Sequence, residues 1–180
     1  MSRAFVNEDL QSEAQAELPE RPQSPHPNYV TPQGLAALER RLANLLAERS
    51  ALSDDGDAMR HEAALRRIDR NARYLSTRID RAILVNLDEQ PRDEVAFGAS
   101  VRVCGADREV HVFTIVGEDE ADAGIGKVSW VSPLANALLS ARVEDTVTWR
   151  RPNGNVDLKI LSIDYASPAE PPPPGGDSDP

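Results

Sequence analysis

The sequence predicts an α+β protein in which an N-terminal antiparallel helical hairpin, a coiled coil, precedes a small β-sheet domain with one short helix. Two observations predict this class. Apolar residues recur at helical spacing over 35–52 and again over 61–82, whereas 101–165 contains short strand-like segments between turn residues. The predicted boundaries are a disordered extension over 1–28, the hairpin over 29–87, the sheet domain over 88–165 and a disordered acidic tail over 166–180.

The two terminal segments are rich in Pro, Ser, Glu and Ala. Such segments bury too little apolar surface to offset the entropy of an ordered chain, so we expect both to be disordered. The four prolines at 171–174 predict an extended polyproline conformation. For these prolines a solvated tail is favoured over a recognition segment.

The hairpin begins at Thr31, whose hydroxyl can cap a helix, and Pro32 suits the first helical turn. One face of the first helix carries Leu35, Leu38, Leu42, Leu45, Arg49 and Leu52, and one face of the second carries His61, Leu65, Ile68, Ala72, Leu75, Ile79 and Ala82. Steps of three and four residues are those of a coiled-coil seam. Because the turn formers at 53–57 leave so little chain between the helices, an antiparallel hairpin is favoured over a dimerising coiled coil.

The formal net charge of −10 is unevenly distributed, since residues 31–86 carry 10 Arg against 8 acids. The candidate basic face of the second helix consists of Arg66, Arg67, Arg70 and Arg73. A solvated face with Glu–Arg pairs one turn apart is the alternative. The turn carries an acidic cluster made of Asp54, Asp55 and Asp57. Its carboxylates repel one another, so they form either an ordinary loop or a site for a divalent cation held partly by a partner.

The second half of the chain predicts a β-sheet domain. Five strands are predicted, around Val101 and Val103 and over residues 110–116, 127–131, 143–149 and 156–165. The strand over 110–116 is apolar enough to be buried on both faces. Ser132 and Pro133 predict the cap and first turn of a short helix over 134–139. Cys104 and His111 lie at strand positions, and we interpret both as packed residues.

Several function classes are disfavoured by the sequence. No apolar run approaches the length of a membrane span, and residues 1–20 lack the pattern of a secretory signal. One cysteine and three histidines without ligand spacing exclude a Cys-rich zinc site, and no Ser/His/Asp set or Gly-rich phosphate loop occurs. An acidic chain is a poor autonomous binder of nucleic acid. We expect a cytoplasmic, monomeric protein that is not an enzyme, holds no cofactor of its own and contacts no membrane.

Four runs follow one another in a specific order. They are Thr31-Pro-Gln-Gly34, Ile115-Val-Gly-Glu-Asp-Glu-Ala-Asp122, Ser132-Pro-Leu-Ala-Asn-Ala-Leu-Leu139 and Ile163-Asp-Tyr165. In this order and spacing they resemble the bacterial GreA/GreB transcript cleavage factor family, and Arg67-Ile-Asp-Arg70 with Arg73-Tyr-Leu75 is closest to GreB. The resemblance covers about residues 31–165, which is all but the tails.

The resemblance implies a partner, RNA polymerase, and a mode of binding. The sheet domain would be FKBP-like and would dock on the rim of the polymerase secondary channel, with docking candidates Asp119, Glu120, Ser132 and Pro133. The helical finger would enter the channel, where the acidic cluster would help to position a Mg²⁺ shared with the polymerase active site. That cation activates water to cleave the 3′ end of backtracked RNA. Nucleic acid would be contacted only within the polymerase complex.

Two departures from the family pattern weigh against efficient cleavage. The family tip reads Gly-Asp-x-x-Glu-Asn-Ala, and Arg60 stands where the Glu is expected. The finger is also about 14 residues short, one heptad in each arm, which shortens its reach by roughly 10 Å. We therefore predict occlusion of the channel, or competition with other channel ligands. Rnk-type relatives, regulators of nucleoside diphosphate kinase, show such shortening, and a non-polymerase interaction module of that type is the alternative.

Overall fold

The structure is a computed structural model that describes residues 19–54, 58–105 and 108–165, with the backbone alone at 54 and 58–60. The chain divides into two compact units. Of the described residues, we call 19–28 with 35–82 the helical unit, and 29–34 with 83–165 the sheet unit. The mixed α+β class predicted from the sequence is confirmed. Among the described residues, no helix combines the length and apolar character needed to cross a membrane.

Two helices of 23 residues each dominate the helical unit, α1 (Pro32–Asp54) and α2 (Ala58–Asp80). The first three residues of α1 belong to the sheet unit. Burial follows the predicted periodicity, because Leu38, Ile68 and Leu75 are buried whereas Leu46, one position off the predicted seam, is 50% exposed. The seam position occupied by Arg49 is exposed, and its Nε lies 2.6 Å from Oδ1 of Asp69 on the other helix. The two helices are confirmed, and their pairing as an antiparallel coiled coil stays a prediction.

Residues 19–28 of the extension predicted to be disordered make contacts with α2. Residues 1–18 and 166–180 lie outside the described residues, so the disorder of both termini stays a prediction. The guanidinium of Arg21 lies 3.9 Å from the ring centroid of Tyr74, and Nη2 of Arg73 lies 2.6 Å from Oε1 of Glu20. Asn28 is buried, and its side-chain amide donates to the Arg78 carbonyl at 2.6 Å, in the last turn of α2. Residues on α2 supply these partners, and the composition of the segment alone does not reveal them.

Two short strands were not predicted, β1 (Asn28–Val30) and β2 (Ala82–Leu84), which pair as a two-stranded sheet. The Val85 amide donates to the Val30 carbonyl at 3.0 Å and extends the pairing within the sheet unit. Strands of three residues are too short to produce an alternating pattern in the sequence. Ala82, which was placed in the helical seam, therefore lies in β2, because α2 ends at Asp80.

The sheet unit contains five further strands and one short helix. They are β3 (Ala99–Cys104), β4 (Val110–Val116), β5 (Lys127–Ser129), α3 (Pro133–Leu138), β6 (Thr146–Trp149) and β7 (Val156–Tyr165). The strand order is β5-β4-β3-β7-β6, and all neighbours are antiparallel except the parallel pair β4 and β5. The register of β3 against β7 shifts between Arg102 and Val103, so Leu161 is an extra residue on β7.

Three predicted boundaries require correction. β5 ends at Ser129 rather than at 131, and α3 spans Pro133–Leu138 rather than 134–139. β6 begins at Thr146 rather than at 143, because the preceding residues form a tight turn. In that turn the Arg142 amide donates to Oδ2 of Asp145 at 2.8 Å, and Glu144 adopts a left-handed φ of 76°. This conformation ends strand pairing locally.

The core of the sheet unit lies on one face of the five-stranded sheet, under α3. It consists of Val95, Ala99, Val101, Val103, Ile115, Leu134, Ala135, Leu138, Leu158 and Ile160. The other face is solvated, so the prediction that 110–116 is buried on both faces is wrong: Val112 is 51% exposed. Cys104 is half-buried, and His111 is exposed although its ring stacks on that of Phe113. An antiparallel sheet can leave one face to water.

The closing strand is tied to the loop before β3 by one phenol. The Tyr165 hydroxyl accepts from the Ala96 amide and donates to the Glu94 carbonyl, both at 2.9 Å. Burial raises the pKa of Tyr165 above its ordinary 10.0. The folded state therefore favours the protonated phenol, and this contribution to stability is complete below about pH 10 and is lost as the pH rises through the raised folded-state pKa.

We expect Tyr165→Phe to lower the free energy of unfolding by about 1–2 kcal/mol at neutral pH, because the variant loses both hydrogen bonds. The difference between wild type and variant should shrink above about pH 10, where the wild-type phenol begins to ionise in the unfolded state. Urea unfolding followed by circular dichroism at neutral and alkaline pH measures both effects. A difference that is independent of pH would contradict this role for the phenol.

Candidate functional site

A single carboxylate, that of Glu120, accepts two hydrogen bonds from Thr31, the residue that precedes α1. Its Oε1 accepts from the Thr31 amide at 2.9 Å, and its Oε2 accepts from the Thr31 hydroxyl at 2.5 Å. The same hydroxyl oxygen accepts from the Gly34 amide at 3.0 Å, which is the N-cap predicted for Thr31. Residues 29–34 belong to the sheet unit, so all of these contacts lie within one unit. We call Thr31, Gly34 and Glu120 the latch.

Two glycines make room for the latch. A Cβ on Gly34 would lie 1.9 Å from Cδ of Glu120, and a Cβ on Gly117 would lie 2.5 Å from the Tyr29 carbonyl oxygen. Both distances are far below any real carbon contact, so each glycine allows a close approach that a side chain would prevent. The two runs Thr31-Pro-Gln-Gly34 and Gly117-Glu-Asp-Glu120 therefore pack against each other.

The loop from β4 to β5 presents Glu120 through two short 3₁₀ turns, Glu118–Glu120 and Ala123–Ile125. Asp122 caps the second turn by accepting from the Gly124 amide at 2.9 Å, and Gly126 ends it with a φ of 74°. The Asp122 and Lys127 backbones exchange two hydrogen bonds of 2.9 Å, which returns the chain to the sheet as β5. This loop connects two parallel strands and leaves Asp119 half-buried in the first turn.

The four predicted docking residues have different neighbours. Glu120 is committed to the latch, and the Ser132 hydroxyl is committed to α3, where its Oγ accepts from the Ala135 amide at 3.1 Å. Pro133 occupies the first turn of α3 and is exposed, in a shallow groove with residues 149–153. The exposed position of Pro133 leaves it able to contact a partner.

The predicted basic face of α2 is partly neutralised by carboxylates. Arg66 pairs with Glu62 one turn earlier, and Arg73 pairs with Glu20. Arg70 is half-buried and Arg67 is exposed. The alternative of Glu–Arg pairs one turn apart therefore holds at Arg66.

The predicted acidic cluster falls at the edge of what the structure describes. Asp55 and Asp57 lie outside the described residues, and Asp54 ends α1 with only its backbone described. Elsewhere in the described part of the chain, no group of three or more His, Cys, Asp or Glu side chains is placed to hold a metal ion. The prediction of a shared Mg²⁺ thus concerns residues on which the structure is silent.

The sequence analysis did not predict the latch, although it singled out Thr31 and Glu120 separately. Thr31 was interpreted as a helix cap and Glu120 as a docking residue, 89 positions apart. A single sequence contains no signal that joins two motifs over such a separation, since each has a sufficient local interpretation. The extreme closeness of Gly34 to Glu120 is visible only in three dimensions.

The fold and this site define a two-unit α+β protein in which, within the sheet unit, the Glu120 carboxylate binds Thr31, the residue that caps the first long helix. The family model "Transcription elongation factor, GreA/GreB, C-term" matches residues 90–165. The transcription elongation factor GreB of Neisseria meningitidis serogroup A is 35% identical over 153 residues, covering 77% of this chain and 94% of that protein. The GreB of Yersinia pestis is 35% identical over 152 residues, covering 77% and 89%.

The chain therefore belongs to the GreA/GreB family of transcription elongation factors, and the resemblance inferred from its motifs is confirmed. The transcription elongation factor GreA of Pelobacter propionicus is 33% identical over 124 residues, covering 67% of this chain and 78% of that protein. Among solved structures, the GreA factor homolog Gfh1 of Thermus thermophilus matches at a TM-score of 0.38 with 21% identity, covering 77% of this chain and 99% of that chain.

Proposed function

We propose that this chain binds RNA polymerase at its secondary channel and modulates elongation, including paused and backtracked complexes. The observation that carries the proposal is the match to named elongation factors over nearly their whole length, 94% for the N. meningitidis protein. The chain acts as an accessory and the polymerase remains the enzyme. RNA polymerase is proposed as the partner because the chain belongs to the GreA/GreB family of transcription elongation factors.

The proposed binding mode assigns one role to each unit. The helices α1 and α2 form an antiparallel coiled-coil finger, and each is about 35 Å long at 1.5 Å per residue. The ion pair between Arg49 and Asp69 supports this pairing, because it joins positions 20 residues apart on the two helices. The sheet unit, which we propose to be FKBP-like, docks on the channel rim.

The tip occludes the channel, or competes with other channel ligands, rather than promoting efficient cleavage. Arg60 replaces the carboxylate that the family pattern has at this position, and the arms are short. The remaining acids, Asp54, Asp55 and Asp57, supply charge for a Mg²⁺ shared with the polymerase but no additional reach. Without partner ligands these three carboxylates hold no cation stably.

Within the sheet unit, the docking roles are divided between contact and support. We assign direct contact to Pro133, which is exposed at the start of α3, and to Asp119, which lies in the first 3₁₀ turn of the loop from β4 to β5. Glu120 and Ser132 support these contacts, Glu120 by binding Thr31 and Ser132 by capping α3.

Neighbouring substitutions at Ser132 and Pro133 test this division. Ser132→Ala should lower the free energy of unfolding by about 1 kcal/mol through loss of the cap, with little change in affinity. Pro133→Ala should change stability by no more than about 0.5 kcal/mol and weaken polymerase binding by about tenfold. Titration of fluorescently labelled full-length chain with bacterial RNA polymerase gives the affinity, and thermal unfolding gives the stability.

The same titration tests the partner itself. Saturable binding of wild type that is weakened by Pro133→Ala and retained by Ser132→Ala is the expected result. Absence of binding to core polymerase and holoenzyme would overturn the proposal and favour the non-polymerase interaction module. Equal weakening by both substitutions would refute the assigned roles while leaving the partner in place.

A further inference from the structure

An aromatic pocket lies on the core face of the sheet unit, at the end of the sheet where β7 begins. Its lining includes His111, Phe113, Trp149, Arg151, Val156 and Leu158. Phe113 lies on β4 and Trp149 on β6, and two strands separate them in the sheet. Their ring centroids are nevertheless 6.3 Å apart, which requires a curled sheet that brings its edges together.

The rings in this pocket are arranged for contact with an extended chain. The His111 ring stacks on Phe113 at 6.0 Å, Phe113 meets Trp149 edge to face, and the Arg151 guanidinium lies 5.0 Å from the Trp149 ring centroid. Phe113 and Trp149 are only half-buried, so part of each ring faces outward. Half-exposed aromatic rings beside a cation are the surface that Pro-rich segments recognise, because a polyproline helix is already extended and loses little entropy on binding.

We propose that the chain's own segment 166–180 occupies this pocket, with the end of the proline run at 171–174 against Trp149. The segment combines that proline run with three acids, Glu170, Asp177 and Asp179, and contains no base. This occupant matches the pocket in both of its properties, aromatic lining and flanking cations. The assignment is independent of any partner of the finger.

The charges around the pocket favour this occupant. Arg151 lines the pocket, and Arg150 lies next to it in the adjoining groove beside Pro133. Among the residues that the structure describes, the Glu109 carboxylate opposes them, because it lies 3.9 Å from Nε2 of His111 at the rim. The acids of the tail therefore bind best at the Arg150–Arg151 side of the pocket, away from Glu109.

The length of the tail sets its register on the sheet. The pocket lies beside Val156, nine steps back along β7 from Tyr165, or about 30 Å at 3.3 Å per residue. A polyproline segment that turns back at Tyr165 would span about 28 Å as far as residue 174 and about 37 Å as far as residue 177. The end of the proline run therefore reaches the Trp149 ring, and Asp177 and Asp179 extend to the arginines.

A spin label near the end of the tail tests the contact in the full-length chain. The label is attached through Ser178→Cys in a Cys104→Ala background, which leaves one thiol. We expect the indole N–H signal of Trp149, assigned with Trp149→Phe, to lose most of its intensity and to recover when the label is reduced. An indole signal of unchanged intensity would overturn the proposal.

Two variants and one control separate specific contact from general attraction. Replacing all four prolines with serine, or Arg151→Glu, should restore the Trp149 signal, the latter by lowering the bound population about tenfold, or 1.4 kcal/mol. Arg102→Glu makes the same charge change on an exposed outer-face residue of β3 and should leave the effect intact. Equal loss with Arg102→Glu would show a long-range charge effect and refute the pocket.

A mixed sample decides which copy supplies the tail. Isotope-labelled chain without the spin label is mixed with unlabelled chain that carries it. We expect an undiminished Trp149 signal, because the tail binds within its own chain. Loss of that signal in the mixture would overturn the intrachain assignment in favour of a second copy.

Discussion

Replacing Gly34 with alanine is expected to destabilise the protein by about 2–4 kcal/mol, although alanine is a better helix former by about 1 kcal/mol. The new Cβ would lie 1.9 Å from Cδ and 2.1 Å from Oε1 of Glu120, so the carboxylate has to leave its place. The Thr31 amide and hydroxyl then lose their acceptor, and hydrogen bonds to a charged group are the stronger kind. Urea unfolding of the full-length chain measures the loss.

A double-mutant cycle with Glu120→Ala isolates this cause. Glu120→Ala alone should cost about 2–3 kcal/mol, because it removes the same two hydrogen bonds. In that background Gly34→Ala should become neutral or stabilising by up to about 1 kcal/mol, since the clash is gone and only helix propensity remains. Glu120→Gln, which keeps an acceptor but not the charge, should lie between wild type and Glu120→Ala. Additive losses in the cycle would show that Gly34 and Glu120 are not coupled.

The latch shows which parts of such a site can be predicted from a sequence. The cap at Thr31 and the helix start at Ser132 follow from local chemistry, and both are confirmed as caps. The partner of Thr31 could not be predicted, because Glu120 becomes its neighbour only after the loop between β4 and β5 has folded. The prediction of Glu120 as a contact residue did not anticipate that its carboxylate is already used within the sheet unit.

The same distinction between local and distant causes explains where the observed fold differs from the fold predicted from the sequence. Long periodic segments were predicted well, since the helical spacing of leucines and the apolar run over 110–116 are local signals. β1 and β2 were missed because three residues contain too little pattern. The exposure of Val112 was missed because an apolar side chain does not reveal whether a second layer covers its face.

The helical finger gives the prediction with the largest functional effect. Inserting seven residues in each arm together with Arg60→Glu should raise cleavage of RNA in backtracked complexes by about tenfold or more over wild type. Under the proposed function, two features of the finger prevent efficient RNA cleavage: its short reach and the absence of a carboxylate at position 60. Both therefore have to be restored. Insertions between residues 45 and 46 and between 72 and 73 lie at equal heights, given the Arg49–Asp69 pair, and each adds about 10 Å.

The controls for this combined variant are the substitution Arg60→Glu alone and the two insertions alone. Arg60→Glu alone should have little effect because the tip remains roughly 10 Å too short, and the insertions alone should have little effect because Arg60 repels the shared Mg²⁺. In the lengthened variant, Asp57→Ala should abolish the gained cleavage, whereas Asp69→Ala, which removes the partner of Arg49 on the shaft, should retain most of it. Strong cleavage by the wild-type chain that is lost in Asp57→Ala would instead refute occlusion, because it would mean that the short finger already brings its carboxylates to the polymerase active site.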